Sequence, residues 1–216
     1  MQPTKAPFTD LLMAANAIAP EDFQNWVFRR EMLFNAADKW WGDFGQRDFP
    51  HEGVDFCLYA DHSGRIRRLK AWTRIPVMHD GVVRAVFKDY LGQAVIIEHE
   101  VEGDPEGQYI SAYAHTLPEK GIRPGTSLRR GDLIAMMADT GSSKAKILPH
   151  LHLSFGRISP ELRYENFVWN LMRDPALVTL RDPMDVFDVP YEEMDAVLDG
   201  GAVMDRSLPL AGKNRS

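Results

Sequence analysis

The sequence predicts a mainly β protein, in which an antiparallel sheet or sandwich follows a helical N-terminal segment and precedes a short helical or extended C-terminal extension. Apolar residues recur at a loosely helical period in residues 1–47, whereas later they form short runs separated by turn residues. The 216 residues suffice for one domain with appendages. The content of 44% hydrophobic and 26% charged residues is ordinary for a globular protein.

The first fifty residues carry the signals of helix starts. Thr9 or Asp10 can cap a helix over residues 11–18, and Pro20 with two following acidic residues indicates a second start. Apolar side chains across residues 23–37 continue the helical period. The predicted units are a helical segment (1–47), a β-rich domain (48–190) and a C-terminal tail (191–216).

The middle of the chain reads as short strands bounded by turns containing glycine, proline and aspartate. The predicted strands cover residues 82–87, 94–100, 109–115, 132–138 and 150–155. Close spacing of such strands favours an antiparallel sheet, a sandwich or a partly closed barrel. After them, residues 160–172 look helical and residues 177–187 extended, and the end from Gly200 onward is expected to be mobile.

Composition excludes several classes of function. A formal charge of -6 argues against nucleic acid as the main partner, because phosphate binding needs clustered basic residues. Cys57 is the single cysteine, so a thiolate zinc site is excluded. No apolar run has the roughly 18 residues that span a membrane, and no clear secretory signal is present. Localisation is therefore open, as is the oligomeric state.

Three histidine motifs follow one another along the chain: His51-Glu-Gly-Val-Asp55, Tyr113-Ala-His115 and His150-Leu-His152. On a straight strand, positions four apart are separated by about 13 Å, so His51 and Asp55 can share an ion only if the chain turns between them, as a glycine at position 53 allows. His150 and His152 project to the same side of a strand. Two imidazoles and one carboxylate would leave a fourth metal position for water, as in catalytic zinc sites.

At these residues the sequence resembles the M23 metallopeptidases, the lysostaphin and LytM-type peptidoglycan endopeptidases. The three motifs correspond to the family patterns H-x(3)-D, Y-A-H and H-x-H, and the resemblance covers residues 48–156. It implies that His51, Asp55 and His152 bind Zn²⁺, and that His115 and His150 are the catalytic pair. It also implies a β-rich domain with a groove. By the same resemblance, the protein would be exported, as family members normally are, and would hydrolyse peptide bonds in peptidoglycan cross-links or stem peptides.

Three further functions are weighed against an active zinc endopeptidase on peptidoglycan. One is a non-catalytic binding or activator domain on the same scaffold, which the five intact motif positions disfavour. Another is a peptidase that acts on a different peptide substrate. The last is a carrier module, which would need a lysine at a hairpin tip, whereas residues 135–140 contain none.

Overall fold

A computed structural model describes residues 8–100, 107–141, 147–187 and 190–194. Short strands dominate, with few helical residues. The strands are β1 (Asn25–Phe28), β2 (Val54–Phe56), β3 (Leu58–Ala60), β4 (Ile66–Arg68), β5 (Arg74–Pro76), β6 (Gly81–Lys88), β7 (Gln93–Glu100), β8 (Gln108–Pro118), β9 (Ser127–Leu128), β10 (Leu133–Met137), β11 (Leu151–Ile158), β12 (Val178–Arg181) and β13 (Tyr191–Glu193). The α-helices are α1 (Phe8–Ala15), α2 (Trp169–Met172) and α3 (Pro183–Phe187), and single 3₁₀ turns cover Pro20–Asp22 and Arg30–Met32.

Within the described residues these strands form a nine-stranded and a four-stranded sheet. The larger sheet runs in the order β12-β11-β8-β7-β6-β9, with β2 beside β11 and with β10 between β8 and β5. The smaller sheet has the order β13-β1-β3-β4. Apart from the parallel β1–β13 pair, the pairings recorded are antiparallel. The predicted mainly β, antiparallel fold class is confirmed.

The larger sheet is covered on both of its faces, as β7 shows. Successive side chains of a strand point to opposite faces, and Val95 and Ile97 enter one hydrophobic cluster while Ile96 enters another. All three are fully buried. Double burial explains why this strand is a continuous apolar run in the sequence rather than an alternating one.

The N-terminal segment begins with a helix, but the helix predicted across residues 23–37 is wrong. Asn25–Phe28 is a strand that pairs with β3 on one side and β13 on the other. All four of its residues are buried, and the rings of Trp26 and Phe28 pack edge-on against Phe56. Burial on both faces of a strand makes an apolar run that a helical period also fits, and here the tertiary contacts decide.

The C-terminal part also differs in detail from the prediction. The helix expected over residues 160–172 is confined to α2, because the chain before it makes turns in which Leu162 and Phe167 are buried against the second face of the sheet. Of the extended segment expected over residues 177–187, only β12 is a strand, and it is followed by α3. The expected mobile end from Gly200 lies outside the described residues.

Candidate active site

The register of three adjacent strands brings the motif residues together. His152 on β11 stands opposite Asp55 on β2 and opposite Ala114 on β8, so the carboxylate and His115 approach it from two sides. Neighbouring strands are about 4.8 Å apart, which is within reach of these side chains. Segments that are far apart in the chain therefore meet because the sheet pairs them.

Gly53 allows the β2 segment to lie close to β11. A Cβ atom at this position would stand 2.3 Å from the Leu153 carbonyl oxygen and 2.8 Å from Ser154 Oγ. The role expected for this glycine was a turn between His51 and Asp55. The structure adds a steric reason for glycine at this position, because any side chain there would push β2 away from β11.

His51, Asp55 and His152 present three donor atoms at nearly equal separations. Asp55 Oδ1 lies 3.2 Å from His51 Nε2 and 2.9 Å from His152 Nδ1, and the two ring nitrogens are 3.0 Å apart. A tetrahedral zinc ion with bonds of about 2.0–2.1 Å needs donor atoms about 3.3 Å apart. All three residues are buried. Among the described residues, they form the group of His, Cys, Asp or Glu side chains whose ligand atoms lie close enough together to hold a metal ion. The donor set fits one ion.

The partners of the two imidazoles suit the tautomers that such an ion requires. His51 Nδ1–H donates to the Leu33 carbonyl at 2.9 Å, which leaves the Nε2 lone pair facing the other donors. His152 Nδ1 faces the same point, and its Nε2 lies 2.9 Å from Ser154 Oγ, a hydroxyl that can accept the Nε2–H. Partners of this kind fix the orientation of a ligand ring.

The carboxylate of Asp55 has different neighbours on its two oxygens. Oδ1 faces the histidines, whereas Oδ2 accepts a 2.7 Å hydrogen bond from Trp40 Nε1 and lies 3.8 Å from a guanidinium nitrogen of Arg47. Burial alone would raise the pKa of Asp55, but its electrostatic interactions with the surrounding histidines hold it well below its usual value. Asp55 is therefore an anion, as a metal ligand must be.

His150 and His115 stand beside the three donors, as expected if β8 pairs with β11. The rings of His115 and His150 meet edge to face with centroids 4.8 Å apart, and His115 is 5.7 Å from the ring of His152. His150 Nδ1–H donates to the Leu148 carbonyl at 2.7 Å, and its Nε2 lies 3.9 Å from Asp55 Oδ1. Burial lowers the pKa of His150 to about 3, so the ring is neutral and offers a lone pair at Nε2.

His115 occupies an irregular position in β8. The pairing of β7 with β8 shifts register between Gln93 and Val95, and His115 is the extra residue, with a φ of 61°. That left-handed conformation is uncommon for a residue with a side chain and often marks a functional site. The bulge turns the ring toward His150, and the side chain remains 17% exposed.

The carboxylate of Asp89 holds both the backbone and the ring of His115, although Asp89 was not among the predicted site residues. Its Oδ2 accepts both the backbone N–H of His115 at 2.6 Å and the ring Nδ1–H at 3.1 Å, while Oδ1 accepts the backbone N–H groups of Leu91 and Gly92. The Asp-x-x-Gly turn was visible in the sequence. Its approach to His115 depends on the pairing of β7 with β8, which no local pattern reveals.

Glu52, inside the first motif, joins the site to two side chains of the C-terminal segment, Trp169 and Arg173. Glu52 is buried and accepts hydrogen bonds from Trp169 Nε1 at 2.6 Å and from Arg173 Nε. The Trp169 ring packs edge-on against His152 at 5.3 Å, and the Arg173 guanidinium lies over the exposed ring of Phe49. Aromatic surface therefore borders the site where the C-terminal segment meets the first motif.

Cys57 has no place in the donor group. The thiol is fully buried in the core, and this burial raises its pKa, so it remains protonated.

None of the helices in the described part of the chain has the length and apolar character needed to span a membrane.

Comparison with known proteins gives a family match and several structural likenesses. Solved structures similar to the chain include the NMR solution structure of lysostaphin, at 20% identity and a TM-score of 0.42 over 81% of this chain and 57% of that one. A catalytic-domain mutant of the prophage-encoded M23 protein EnpA from Enterococcus faecalis is 19% identical, with a TM-score of 0.36 over 65% of this chain and 94% of that one. The structure of the SpoIIQ–SpoIIIAH pore-forming complex is 15% identical, with a TM-score of 0.43 over 86% of this chain and 91% of that one.

The match thus spans little more than half the length of lysostaphin, and the low TM-scores carry no functional weight. No curated protein matches the chain. The model of peptidase family M23, however, matches residues 50–162, which is more than half of the chain and contains all three histidine motifs. The chain therefore belongs to peptidase family M23.

Proposed function

We propose that this protein is a zinc-dependent endopeptidase that hydrolyses peptide bonds in peptidoglycan cross-links or stem peptides. The observation that carries the proposal is the triangle of donor atoms from His51, Asp55 and His152, with sides of 2.9–3.2 Å. Two further histidines stand next to this triangle, which a purely structural metal site would not need. Membership of a peptidase family supports the same reaction class.

His51, Asp55 and His152 would hold the zinc ion through Nε2, Oδ1 and Nδ1. When bound, zinc lowers the pKa of a water molecule and polarises a carbonyl group. The hydrogen bond from His51 to the Leu33 carbonyl keeps that ring in the tautomer that leaves Nε2 unprotonated, and Ser154 Oγ can accept the Nε2–H of His152 when its Nδ1 binds the ion. The three protein donors leave a fourth tetrahedral position for water or substrate.

The two remaining histidines divide the proton chemistry in this proposal. His150 donates Nδ1–H to Leu148 O, so its Nε2 carries a lone pair that can accept a proton from the attacking water. In the doubly protonated form of His115, Asp89 accepts the Nδ1–H. The Nε2–H of that form can donate to the oxygen that gains negative charge when the scissile carbonyl is attacked.

The substrate class rests on the family resemblance rather than on the geometry. Peptidoglycan would place the protein in the cell envelope or outside the cell. The ring of Trp169, which packs against His152, and the exposed ring of Phe49, which lies under the Arg173 guanidinium, offer aromatic surface suited to packing against a bound chain. A peptidase for another peptide would use the same five residues, so substrate identity is a separate question from the chemistry.

Metal content is the first test. We expect about one zinc per chain in the purified protein by elemental mass spectrometry, and loss of zinc in Asp55→Ala and His152→Ala. His62→Ala is the matched control, because His62 is an exposed histidine outside the three motifs and its removal should leave zinc content unchanged. Wild-type protein that takes up no zinc after reconstitution would refute the proposed centre.

Hydrolysis is tested separately on purified peptidoglycan and on defined stem peptides. The wild-type protein should release fragments with new amino termini, whereas His150→Ala and His115→Ala should retain zinc and lose turnover. Full activity in His150→Ala would contradict its role. Binding to peptidoglycan without cleavage would identify a non-catalytic module, and cleavage of unrelated peptides alone would move the substrate away from the cell wall.

A further inference from the structure

A loop that lies almost entirely before the family match reaches into the proposed metal centre. Residues 36–51, termed the Trp40 loop, fold back on themselves through a β-bridge between Asp38 and Gln46 and a bond from Lys39 N to Gly45 O. The His51 N–H donates to Ala36 O at 3.0 Å and closes the loop. The backbone of one proposed zinc ligand is therefore held by the N-terminal segment.

Two side chains of this loop approach Asp55 Oδ2: a guanidinium nitrogen of Arg47 lies 3.8 Å away, and Trp40 makes the hydrogen bond. Trp40 is 4% exposed, its Nε1–H donates to Asp55 Oδ2 at 2.7 Å, and its ring packs edge-on against His150 with centroids 5.0 Å apart. Trp40 thus contacts one proposed ligand and one proposed catalytic residue. It lies outside residues 50–162, the part of the chain that matches the peptidase family.

The hydrogen bond has a direct consequence for the carboxylate. A free aspartate can bind an ion through one oxygen or through both. Here Oδ2 is engaged by the indole N–H, and Oδ1 alone faces His51 and His152. The Trp40 ring lies against His150 and cannot move toward solvent without opening that contact, so the orientation of Asp55 is fixed before any ion arrives.

We propose that Trp40 is a positioning residue of the metal centre, which holds Asp55 in one-oxygen coordination and makes the N-terminal segment a functional part of the site. This inference rests on the proposed zinc function. Loss of a hydrogen-bond partner of a metal ligand typically weakens metal affinity about 10–100-fold. A change of that size is expected without the indole N–H.

The test compares zinc affinity in Trp40→Phe and Trp26→Phe, measured by competition with a chromogenic chelator. Phenylalanine keeps an aromatic ring against His150 but removes the N–H donor. Trp26 is a matched control, because it is fully buried and its Nε1–H donates to Thr9 Oγ1 at 2.9 Å, not to a residue of the site. We expect zinc binding about 10–100-fold weaker in Trp40→Phe and little changed in Trp26→Phe.

Cobalt substitution supplies a readout that a purely structural role would not move. If the freed Oδ2 also binds the ion, the visible absorption of the Co²⁺ protein should weaken, as expected when coordination rises above four. If Trp40→Phe folds poorly, the test can be repeated with benzothienylalanine at position 40, which replaces the indole N–H by sulfur and keeps the bicyclic shape.

The outcomes separate the two proposals. Wild-type protein that binds no zinc contradicts the proposed function itself. Wild-type and Trp40→Phe proteins with equal zinc affinity overturn the role of Trp40 and leave the zinc centre standing. Equal losses of affinity in Trp40→Phe and Trp26→Phe would also overturn it, because the effect would then follow from stability alone.

Discussion

Each histidine of the site has one ring nitrogen bound by the protein and the other directed toward the centre. For His150 the partner is a backbone carbonyl, which accepts only from a protonated Nδ1 and so determines the tautomer. For His115 the partner is the carboxylate of Asp89, whose lowered pKa keeps it negatively charged. The two neighbouring imidazoles therefore meet different electrostatic surroundings, which allows them different roles in proton transfer.

Replacing Asp89 by Asn should slow the proposed reaction with little effect on zinc content. An asparagine cannot accept hydrogen bonds on both of its polar ends, so either His115 or the turn at Leu91 and Gly92 loses its acceptor. Because general acid–base catalysis contributes roughly 10²–10⁴-fold, we expect kcat to fall about 10–100-fold, with KM nearly unchanged. Asp132→Asn, at an exposed turn, is the control.

Acid stability should also depend on Asp89. Burial would raise its pKa, but the hydrogen bonds and charge of His115 lower it to about 2. A carboxylate with a depressed pKa stabilises the folded state above its unfolded pKa of about 3.9, and this contribution disappears as the pH falls through the folded value. The difference in unfolding free energy between wild type and Asp89→Asn, roughly 2 kcal/mol at pH 6, should shrink between pH 4 and pH 2. A difference independent of pH would contradict this origin.

Among the elements, the pairing of β2 with β11 is the contact on which the centre most directly depends. It places Asp55 opposite His152, and it is possible because Gly53 has no side chain where Leu153 passes. The pairing of β8 with β11 then adds His115 from the other side. Three short stretches of strand thus supply the site, and loops supply the partners of its side chains.

Gly53→Ala should separate β2 from β11. The added Cβ would meet backbone atoms at 2.3 and 2.8 Å, which cannot be relieved by a side-chain rotation. We expect a loss of roughly 1–3 kcal/mol in unfolding free energy, accompanied by weaker zinc binding. Gly141→Ala is the control, since its Cβ would find its nearest neighbour at 3.5 Å. Wild-type zinc affinity in Gly53→Ala would show that the centre tolerates movement of β2.

Element prediction from the sequence succeeded where one pattern dominated. The strand expected at residues 94–100 is found at Gln93–Glu100, and that expected at 82–87 at Gly81–Lys88, because short segments rich in β-branched residues between turns have few other solutions. Asn25–Phe28 was read as helix because a short apolar run fits both periods, and only its pairing with β3 and β13 distinguishes them. Local patterns do not contain that pairing.

The candidate site, too, was predictable from the sequence only in part. Its five motif residues could be named from spacing and resemblance, and the structure brings them together, while their roles stay predictions. Asp89 and Trp40 could not be named, since an aspartate in a turn and a tryptophan in a loop have many possible partners. Contacts made across the fold are invisible to a pattern that extends over a few residues.

At the scale of the whole molecule, the N-terminal segment shares a hydrophobic cluster with the β-rich part. Phe8 of α1 is fully buried against Phe56 and Tyr113, and Trp26 also packs on Phe56. The division at residues 47 and 190 stays a prediction, and most of the tail from residue 191 lies outside the described residues. Packing of this kind leads us to expect that residues 8–47 and the peptidase domain unfold together.

Phe8→Ala tests this expectation. Removing a fully buried ring should lower the unfolding free energy by about 3–5 kcal/mol, in a single transition seen equally by tryptophan fluorescence and circular dichroism. Tyr90→Ala, at a side chain that is 81% exposed, should change it by less than about 0.5 kcal/mol. Two separate transitions in the wild-type protein, with Phe8→Ala affecting only the first, would show an independent N-terminal unit.

The distance along the chain between His51 and His152, 101 residues, has a consequence for how the protein is maintained. An unfolded chain can bring the two rings to one ion only at the entropic cost of closing a loop of that length, so zinc at the proposed site would bind the folded state preferentially. Free zinc at one hundred times its dissociation constant would then stabilise the fold by about 2.7 kcal/mol. The supply of the metal would thereby govern how much of the chain survives proteolysis as well as how much is active.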